Sequence, residues 1–320
     1  MQWDDILQWE KVVDEVTNWR HRPENVYTRD GLALVSKVSA ANKDLKTAIK
    51  ESVDLIGGFH KALSPGDRVF IKPNYNSADP LPAATDISFL VAVVELLREE
   101  GITDVTVGER SGWPALPTRD VFEKMGVFAA AREMGFRVIT FDDGPWMDVE
   151  LGEKAQWWSG KAAFHKSLKD FDKFVYLPCM KTHFLATFTG SLKLNVGLTH
   201  PAEMPYMHAD FRGGKPEEPM YLKMLELGLA VGPDLIIMDG RKAFVTEGPV
   251  KGETVEPGVI LASGDRIALD VEEVKVLQQY PRGNQIQSAV WQMPLIRRAV
   301  ELGLGVSSEA EYRVVTRSIG

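Results

Sequence analysis

The sequence predicts an α/β protein of two lobes, with mostly parallel sheets and right-handed crossovers, and two observations lead to this fold class. Short apolar runs alternate with longer segments of helical spacing along most of the chain, which is the pattern of strand–helix–strand units. The 320 residues are also 44% hydrophobic, so the chain can bury a large core. We predict a helical extension at residues 1–31, a first α/β lobe at 32–150, and a second lobe at 151–320 with a C-terminal helix.

The N-terminal extension is predicted to be an amphipathic helix that reaches Trp19. Its apolar residues repeat at the spacing of one helical face, and the resulting aromatic stripe is expected to be a docking surface. The partner is the rest of the chain, a second copy in a homodimer, or a redox protein. The residues that define this face are Trp3, Ile6, Leu7, Val13, Val16 and Trp19.

The elements of the first lobe follow one another in regular order. Apolar runs predict buried strands, and the segments between them have the spacing of helices, one of which Gly101 closes. The predicted strands lie at 32–38, 68–72, 102–109 and 137–142, and the predicted helices at 45–63, 86–100, 118–126 and 127–135.

The second lobe repeats this alternation after a less periodic segment at residues 144–160, which contains three tryptophans. We therefore place the boundary between the lobes at residues 145–170. Strands are predicted at 173–178, 234–239 and 258–263, and helices at 220–231, 266–279 and 294–302.

The composition excludes several classes of function. The formal net charge is -8 and the chain has no basic run, which argues against a nucleic-acid partner. Cys179 is the single cysteine, so an internal disulfide and a cysteine-ligated iron–sulfur cluster cannot form within the chain. No apolar run is long enough for a membrane span or a signal peptide. We expect a cytoplasmic protein without a membrane partner.

One segment of the second lobe, KTHFLATFTGSLKLNVGLTH, concentrates the residues that bind anions. It contains Lys181, His183, Lys193 and His200, and no Asp or Glu occurs between residues 173 and 202. The segment follows a predicted strand, and ligands of α/β sheets bind beyond the carboxyl ends of strands. In a chain of net negative charge, this pattern predicts a pocket for a small anionic molecule. The alternative is that each lysine is simply exposed and each histidine packed.

Part of the same segment is predicted to be a helix over residues 189–198. Its first turn has hydroxyl residues suited to capping, and free N–H groups at a helix start favour phosphate or carboxylate. Thr189, Gly190 and Asn195 are therefore predicted cofactor-binding residues.

Further polar residues stand at other strand ends. Lys72, Asn74 and Glu109 follow two neighbouring strands and are predicted to face a common crevice. Their alternatives are an exposed lysine, an Asx turn and a surface Glu109–Arg110 pair of little energetic weight. In the second lobe, Asp239 at a strand end and Glu247 in a glycine-containing loop are the better acidic candidates, whereas Asp265 is explained as a helix cap.

The order of several motifs resembles the domain of unknown function 362 family. These motifs are FIKPN, VGE, KTH, TGSLKLNVG, MDGRKAFVTEGPVKG and PGVILASGDRIALD, and the resemblance covers roughly residues 32–277. Many members of that family carry an added ferredoxin-like module with cysteine-bound clusters. Cys179 alone cannot supply the ligands of such a module.

A more distant resemblance concerns the segment HFLATFTGSLK, which is similar to the H-x-x-A-G-[FY]-S-G-G-x-K motif of the nickel-pincer lactate racemase family. The resemblance implies that Lys193 holds a nickel-pincer-like nucleotide and that histidines serve the metal and the proton transfer. His183, His200 and His208 would then be the metal ligands. Glu109 stands where that family has a histidine, and two glycines of its loop are replaced here.

These observations predict an enzyme whose inter-lobe cleft binds a small anionic substrate, or a phosphate-bearing or divalent metal cofactor. Lys193 and Lys181 would anchor the anion or act as a covalent amine, His183 would be the acid–base group or a metal ligand, and Glu109 the carboxylate. The resemblance implies redox or isomerase chemistry next to a carboxylate. The alternatives are a non-catalytic metal- or cofactor-binding protein and a docking partner of a redox system.

Overall fold

The predicted α/β fold class is confirmed by a computed structural model that describes residues 11–41, 43–112, 116–208, 219–280 and 286–317. Its strands are β1 (Glu15–Thr17), β2 (Thr28–Arg29), β3 (Leu32–Ser39), β4 (Val69–Pro73), β5 (Val105–Glu109), β6 (Arg137–Thr140), β7 (Trp146–Glu150), β8 (Lys161–His165), β9 (Lys173–Leu177), β10 (Cys179–His183), β11 (Thr187–Phe188), β12 (Leu235–Phe244), β13 (Thr254–Val255), β14 (Val259–Ser263) and β15 (Tyr312–Thr316). Its helices are α1 (Leu45–Ile56), α2 (Ile87–Glu99), α3 (Thr118–Lys124), α4 (Val127–Met134), α5 (Met204–Met207), α6 (Met220–Glu226), α7 (Arg266–Leu277) and α8 (Pro294–Leu302).

The main sheet has the strand order β15-β3-β14-β12-β9-β4-β5-β6. The strands β12, β9, β4, β5 and β6 run parallel to one another, whereas β14 is antiparallel to both of its neighbours. The carboxyl ends of β4, β5 and β9 therefore meet at one edge of the sheet. This is the edge at which α/β folds bind ligands.

Both faces of the sheet are covered by apolar side chains, as expected for parallel strands. Along β4, Val69 and Ile71 pack in the core that contains α1 and α2, while Phe70 between them packs in the core on the opposite face. The strand is buried along its whole length. This burial explains why β4 has a continuous apolar run before it reaches Lys72.

Strands from both predicted lobes hydrogen-bond within this one sheet. β4 pairs with β9 in parallel, and β14 pairs with β3 in antiparallel orientation. The division of the chain at residue 150 stays a prediction. The less regular segment at 144–160 contributes β7 to a smaller sheet of order β1-β7-β8.

The predicted N-terminal helix is wrong over the residues that can be compared. Residues 1–10 lie outside the described residues, and β1 occupies Glu15–Thr17, where it pairs in parallel with β7. The local sequence VVDEVT is rich in β-branched residues, which favour extended backbone when a partner strand is available. The helical spacing of the apolar side chains covers too few residues to outweigh this preference for extended backbone.

The predicted helix at residues 189–198 is also wrong. A short 3-10 helix, Leu194–Leu198, is the regular element there, and Gly190 has a left-handed φ of 53°. In addition, the chain does not enter a loop after Pro178, because β10 begins at once and pairs with β12. Lys181 and His183 therefore lie on a strand.

In the part of the chain that the structure describes, no helix is both long and apolar enough to cross a bilayer.

Candidate functional site

A cavity of about 240 Å³ lies at the carboxyl ends of β4, β5 and β10. It draws residues from both predicted lobes, and polar side chains share its wall with apolar ones. The lining residues are Lys72, Asn74, Asn76, Glu109, Arg110, Gly112, His183, Phe184, Leu185, Thr189, Lys193, Leu194, Val196, Gly197, Met204, His208, Met220, Pro249 and Val250.

Lys181 supports the wall of this cavity without lining it. Its side chain is fully buried, and its ammonium donates to the Ala83 carbonyl, to the Pro249 carbonyl at 3.2 Å and to Asn76 Oδ1 at 3.4 Å. Burial lowers the pKa of Lys181 to about 8. Lys181 was predicted to anchor an anion. In the structure its hydrogen bonds instead connect two loops to β10.

The loop that carries Thr189 and Lys193 is held by a buried carboxylate instead of a helix start. Asp270 on α7 accepts the N–H of Ser191 at 2.8 Å and that of Leu192 at 2.9 Å. A Cβ on Gly190 would lie 2.4 Å from Asp270 Oδ2, so this approach requires glycine. The contact is tertiary, which is why local propensity did not predict the loop.

Lys193 brings an unpaired amine to the cavity. No described residue forms a hydrogen bond or an ion pair with its Nζ, and the side chain is only partly exposed. Burial lowers its pKa to about 7, and the positive charges of Lys181 and Lys72 add to this effect, while Glu109 opposes it. Half of the amines are therefore neutral near pH 7, in contrast to an ordinary lysine.

Thr189 brings a second unpaired polar group, a hydroxyl, to the cavity. The residue is 3% exposed, lines the cavity, and its Oγ1 has no hydrogen-bond partner among the described residues. Buried hydroxyls are usually hydrogen-bonded, and an unpaired one costs about 1–3 kcal/mol. A ligand in the cavity could supply the missing partner.

His183 is a hydrogen-bond donor in its neutral form. Its Nδ1 accepts the N–H groups of Leu185 at 3.1 Å and Ala186 at 3.2 Å, so the ring proton is on Nε2. Burial lowers the pKa of His183 well below its usual value, and the charges of Lys193 and Lys181 lower it further. The neutral ring has no lone pair on Nε2 for a metal or a proton.

Lys72 and Glu109 form a buried ion pair with a distance of 2.6 Å. The Glu109 carboxylate also accepts the N–H groups of Tyr75 at 3.0 Å and Arg110 at 2.9 Å. Burial raises the pKa of Glu109 and lowers that of Lys72, and the contact between them opposes both shifts. The pair contributes little net charge to the cavity.

Arg110 is not the surface partner of Glu109 that was considered as an alternative. It is 3% exposed, and its guanidinium donates to the carbonyls of Thr199, Ser111 and Val196 at 2.7–2.9 Å. These bonds fix the 3-10 helix against β5.

Several predicted site residues lie outside the cavity lining. The His200 ring packs on Trp146 with centroids 4.7 Å apart, and its Nδ1 accepts the N–H of Ala202. Asn195 accepts the Tyr176 hydroxyl at 2.6 Å and is fully buried. Both side chains are explained by packing and hydrogen bonding.

The two acidic candidates of the second lobe and Gly190 are also absent from the lining. Asp239 is 1% exposed and pairs with Arg241 at 2.8 Å. Glu247 is exposed and lies 3.9 Å from Lys251. Neither carboxylate lines the cavity that contains Lys193.

The predicted metal site of three histidines does not fit these positions. Among the described residues, no three His, Cys, Asp or Glu side chains are grouped as metal ligands. His208 lines the cavity and donates from Nδ1 to the Met204 carbonyl at 2.9 Å, which leaves the lone pair of its neutral ring on Nε2. His200 lies elsewhere, and neutral His183 is a donor. The resemblance gives a role to Lys193 and to three histidines. Of these residues, only Lys193 has a side chain, its amine, that fits the attachment of a covalent cofactor.

The apolar mouth of the cavity was not predicted. Phe184 and Val250 line it and are 49% and 43% exposed, and Met204 and Met220 contribute to the wall. Phe184 directly follows the KTH motif. This position was the one feature of the sequence that could have placed Phe184 at the cavity.

Comparisons with known proteins find a relative by sequence and a similar chain by structure. The thylakoid-associated protein sll1697 of Synechocystis is 25% identical over 286 residues, which cover 88% of this chain and 85% of that protein. The lactate racemase apoprotein of Thermoanaerobacterium thermosaccharolyticum has a TM-score of 0.45 and 13% identity, over 78% of this chain and 58% of that one. This chain therefore spans little more than half the length of the racemase structure.

A family model described as "domain of unknown function (DUF362)" matches residues 69–274. That range includes β4, β5, β10 and most of α7, which build the cavity and hold its loop. The protein belongs to the domain of unknown function 362 family.

Proposed function

We propose that this protein is an enzyme that binds a small carboxylate in the cavity and uses Lys193 as a reactive amine at the neighbouring carbon. The observation that carries the proposal is the amine itself. It has no hydrogen-bond partner among the described residues, it lies on a cavity wall, and its pKa is about 7. A lysine of this kind lowers the stability of the folded protein, and residues with strongly shifted pKa values concentrate at functional sites.

The donors around the amine match a carboxylate. Thr189 offers an unpaired hydroxyl and His183 an Nε2–H group, while the protonated fraction of Lys193 adds a positive charge. The Lys72–Glu109 pair is self-compensated. A small anion would thus satisfy the groups that the protein leaves unsatisfied.

The proposed chemistry starts from the neutral amine. At pH 7 about half of the Lys193 amines are neutral, compared with about one in 3,000 for a lysine with a pKa of 10.5. The neutral nitrogen adds to the carbonyl carbon of a 2-oxo acid, and the adduct takes up one proton from solvent and loses one water to leave a protonated imine. The imine withdraws electrons from the adjacent C–H bond, which permits proton removal and return, as an isomerase requires.

The experiment is chemical trapping with pyruvate. The protein is incubated with pyruvate at pH 7 and treated with sodium borohydride, and the peptide that contains Lys193 is analysed by mass spectrometry. We expect one reduced pyruvate adduct on this lysine and none on the half-buried Lys50 or the exposed Lys169. The Thr189→Val variant should reduce the yield several-fold, because one carboxylate donor is lost.

Two results would contradict the proposal. Equal labelling of Lys193, Lys50 and Lys169 would show that the cavity amine is not activated. An added mass on the Lys193 peptide before any treatment would show that the amine holds a cofactor and is not available to a substrate carbonyl.

A further inference from the structure

A second cavity, of about 390 Å³, lies at the N-terminal end of α7. Among the described residues, it shares no lining residue with the cavity around Lys193. Glycines and polar groups dominate its wall, and its lining residues are Arg22, Pro23, Asn25, Gly228, Gly232, Pro233, Gly264, Asp265, Arg266, Gly303, Leu304 and Gly305.

Arg266 is a buried guanidinium that forms no ion pair with a described residue. The residue is 4% exposed and donates to the carbonyls of Val231 at 3.4 Å and Gly228 at 3.3 Å. These bonds are long and use few of its five N–H groups. Burial lowers the pKa of Arg266, and the negative charges of Asp270 and Asp265 oppose this shift from a distance without forming an ion pair. A buried charge is normally paired, because an unpaired one is strongly destabilising.

Arg22 brings a second guanidinium to the same cavity. It is exposed, and it donates to the Gly303 carbonyl at 2.9 Å. It too has no ion-pair partner in the described part of the chain, and burial together with the charge of Arg20 lowers its pKa. Two guanidiniums thus share one cavity in a protein whose net charge is -8.

Asp265 lies close enough to oppose the pKa shift of Arg266, but it forms no ion pair with either arginine. Its Oδ1 accepts the N–H of Ala268 at 2.8 Å as the cap of α7, and its Oδ2 accepts the N–H of Val306 at 2.9 Å. Both oxygens are therefore held by backbone groups. The carboxylate fixes the cavity wall and leaves the arginines available.

Glycines allow the polar groups to approach the backbone closely. A Cβ on Gly228 would lie 2.5 Å from Arg266 Nη2, and one on Gly305 would lie 2.4 Å from Asp265 Oδ1. Neither position tolerates a side chain without displacement of these groups. The glycines preserve the open volume in front of the guanidiniums.

We infer that this second cavity binds the phosphate group of a free small molecule. A phosphate has enough acceptor oxygens for both guanidiniums at once, and arginine recognises phosphate through paired N–H donors. The cavity is large enough for the group, and a bound dianion supplies the direct ion pair that Arg266 lacks.

The test is isothermal titration calorimetry of the full chain with inorganic phosphate at constant ionic strength, which measures the binding affinity. We expect one saturable site, and Arg22→Gln should weaken binding about fivefold, because one charge-assisted contact is lost. Arg266→Gln should weaken it more than tenfold if the variant folds. Arg20→Gln is the matched control, since this exposed neighbour lies outside the lining, and it should change the affinity less than twofold.

Lys193→Met distinguishes this site from the first cavity and should leave phosphate affinity unchanged. The inference is overturned if no saturable binding occurs, if Arg22→Gln has no more effect than Arg20→Gln, or if Lys193→Met abolishes binding.

Discussion

The Lys193→Met variant is expected to be more stable than the natural protein at pH 6 and equally stable above pH 10.5. In the folded protein burial holds the pKa of Lys193 near 7, whereas its ordinary value is 10.5. Folding therefore disfavours the charged form. Between these two pH values the unfolded chain binds more protons, so the stability of the natural protein rises with pH. Methionine retains the hydrocarbon part of the side chain and removes the charge.

The magnitude follows from the same two pKa values. A change of the pKa from 10.5 to about 7 corresponds to a loss of at most about 5 kcal/mol in the free energy of unfolding when the amine is charged. Because the amine faces the cavity, solvent screens part of this cost, and we expect a gain of about 2 kcal/mol at pH 6. Urea unfolding of both proteins at several pH values measures the difference. A gain that does not depend on pH, or a loss of stability at pH 6, would refute the reasoning.

Two further substitutions test the supports of the cavity. Glu109→Gln should destabilise the protein by about 3–5 kcal/mol in urea unfolding, because Lys72 would remain as an unpaired buried charge; an effect below 1 kcal/mol would show that the pair is dispensable. Gly190→Ala should lower both stability and pyruvate trapping at pH 7, since its φ is 53° and the added Cβ would lie 2.4 Å from Asp270 Oδ2. Unchanged trapping would mean that this loop does not position the amine.

Much of the fold could be predicted because the strands have strong local signals. The apolar run of β4 is buried on both faces, and α2 begins and ends near Asp86 and Gly101 as predicted. Polar residues at the ends of β4 and β5 also lie together, since parallel neighbours end at the same edge of a sheet. Lys72 and Glu109 could be placed in the cavity on this principle alone.

The remaining features depend on contacts between distant parts of the chain. The loop before Lys193 takes its shape from Asp270, which lies on α7 and is more than 70 residues away. Lys181 contacts loops that no local pattern connects to it. Asn195 is polar and buried, as a site residue would be, but it accepts a hydrogen bond from Tyr176, which lies 19 residues away.

The most direct measurement is the pH dependence of Lys193 acetylation under trace labelling with acetic anhydride. The rate at each lysine follows its neutral fraction, so mass spectrometry of the Lys193 peptide gives the pKa of this amine. The predicted result is a midpoint near pH 7 for Lys193, with the half-buried Lys50 reacting only at much higher pH. A midpoint near 10.5 for Lys193 would contradict the account.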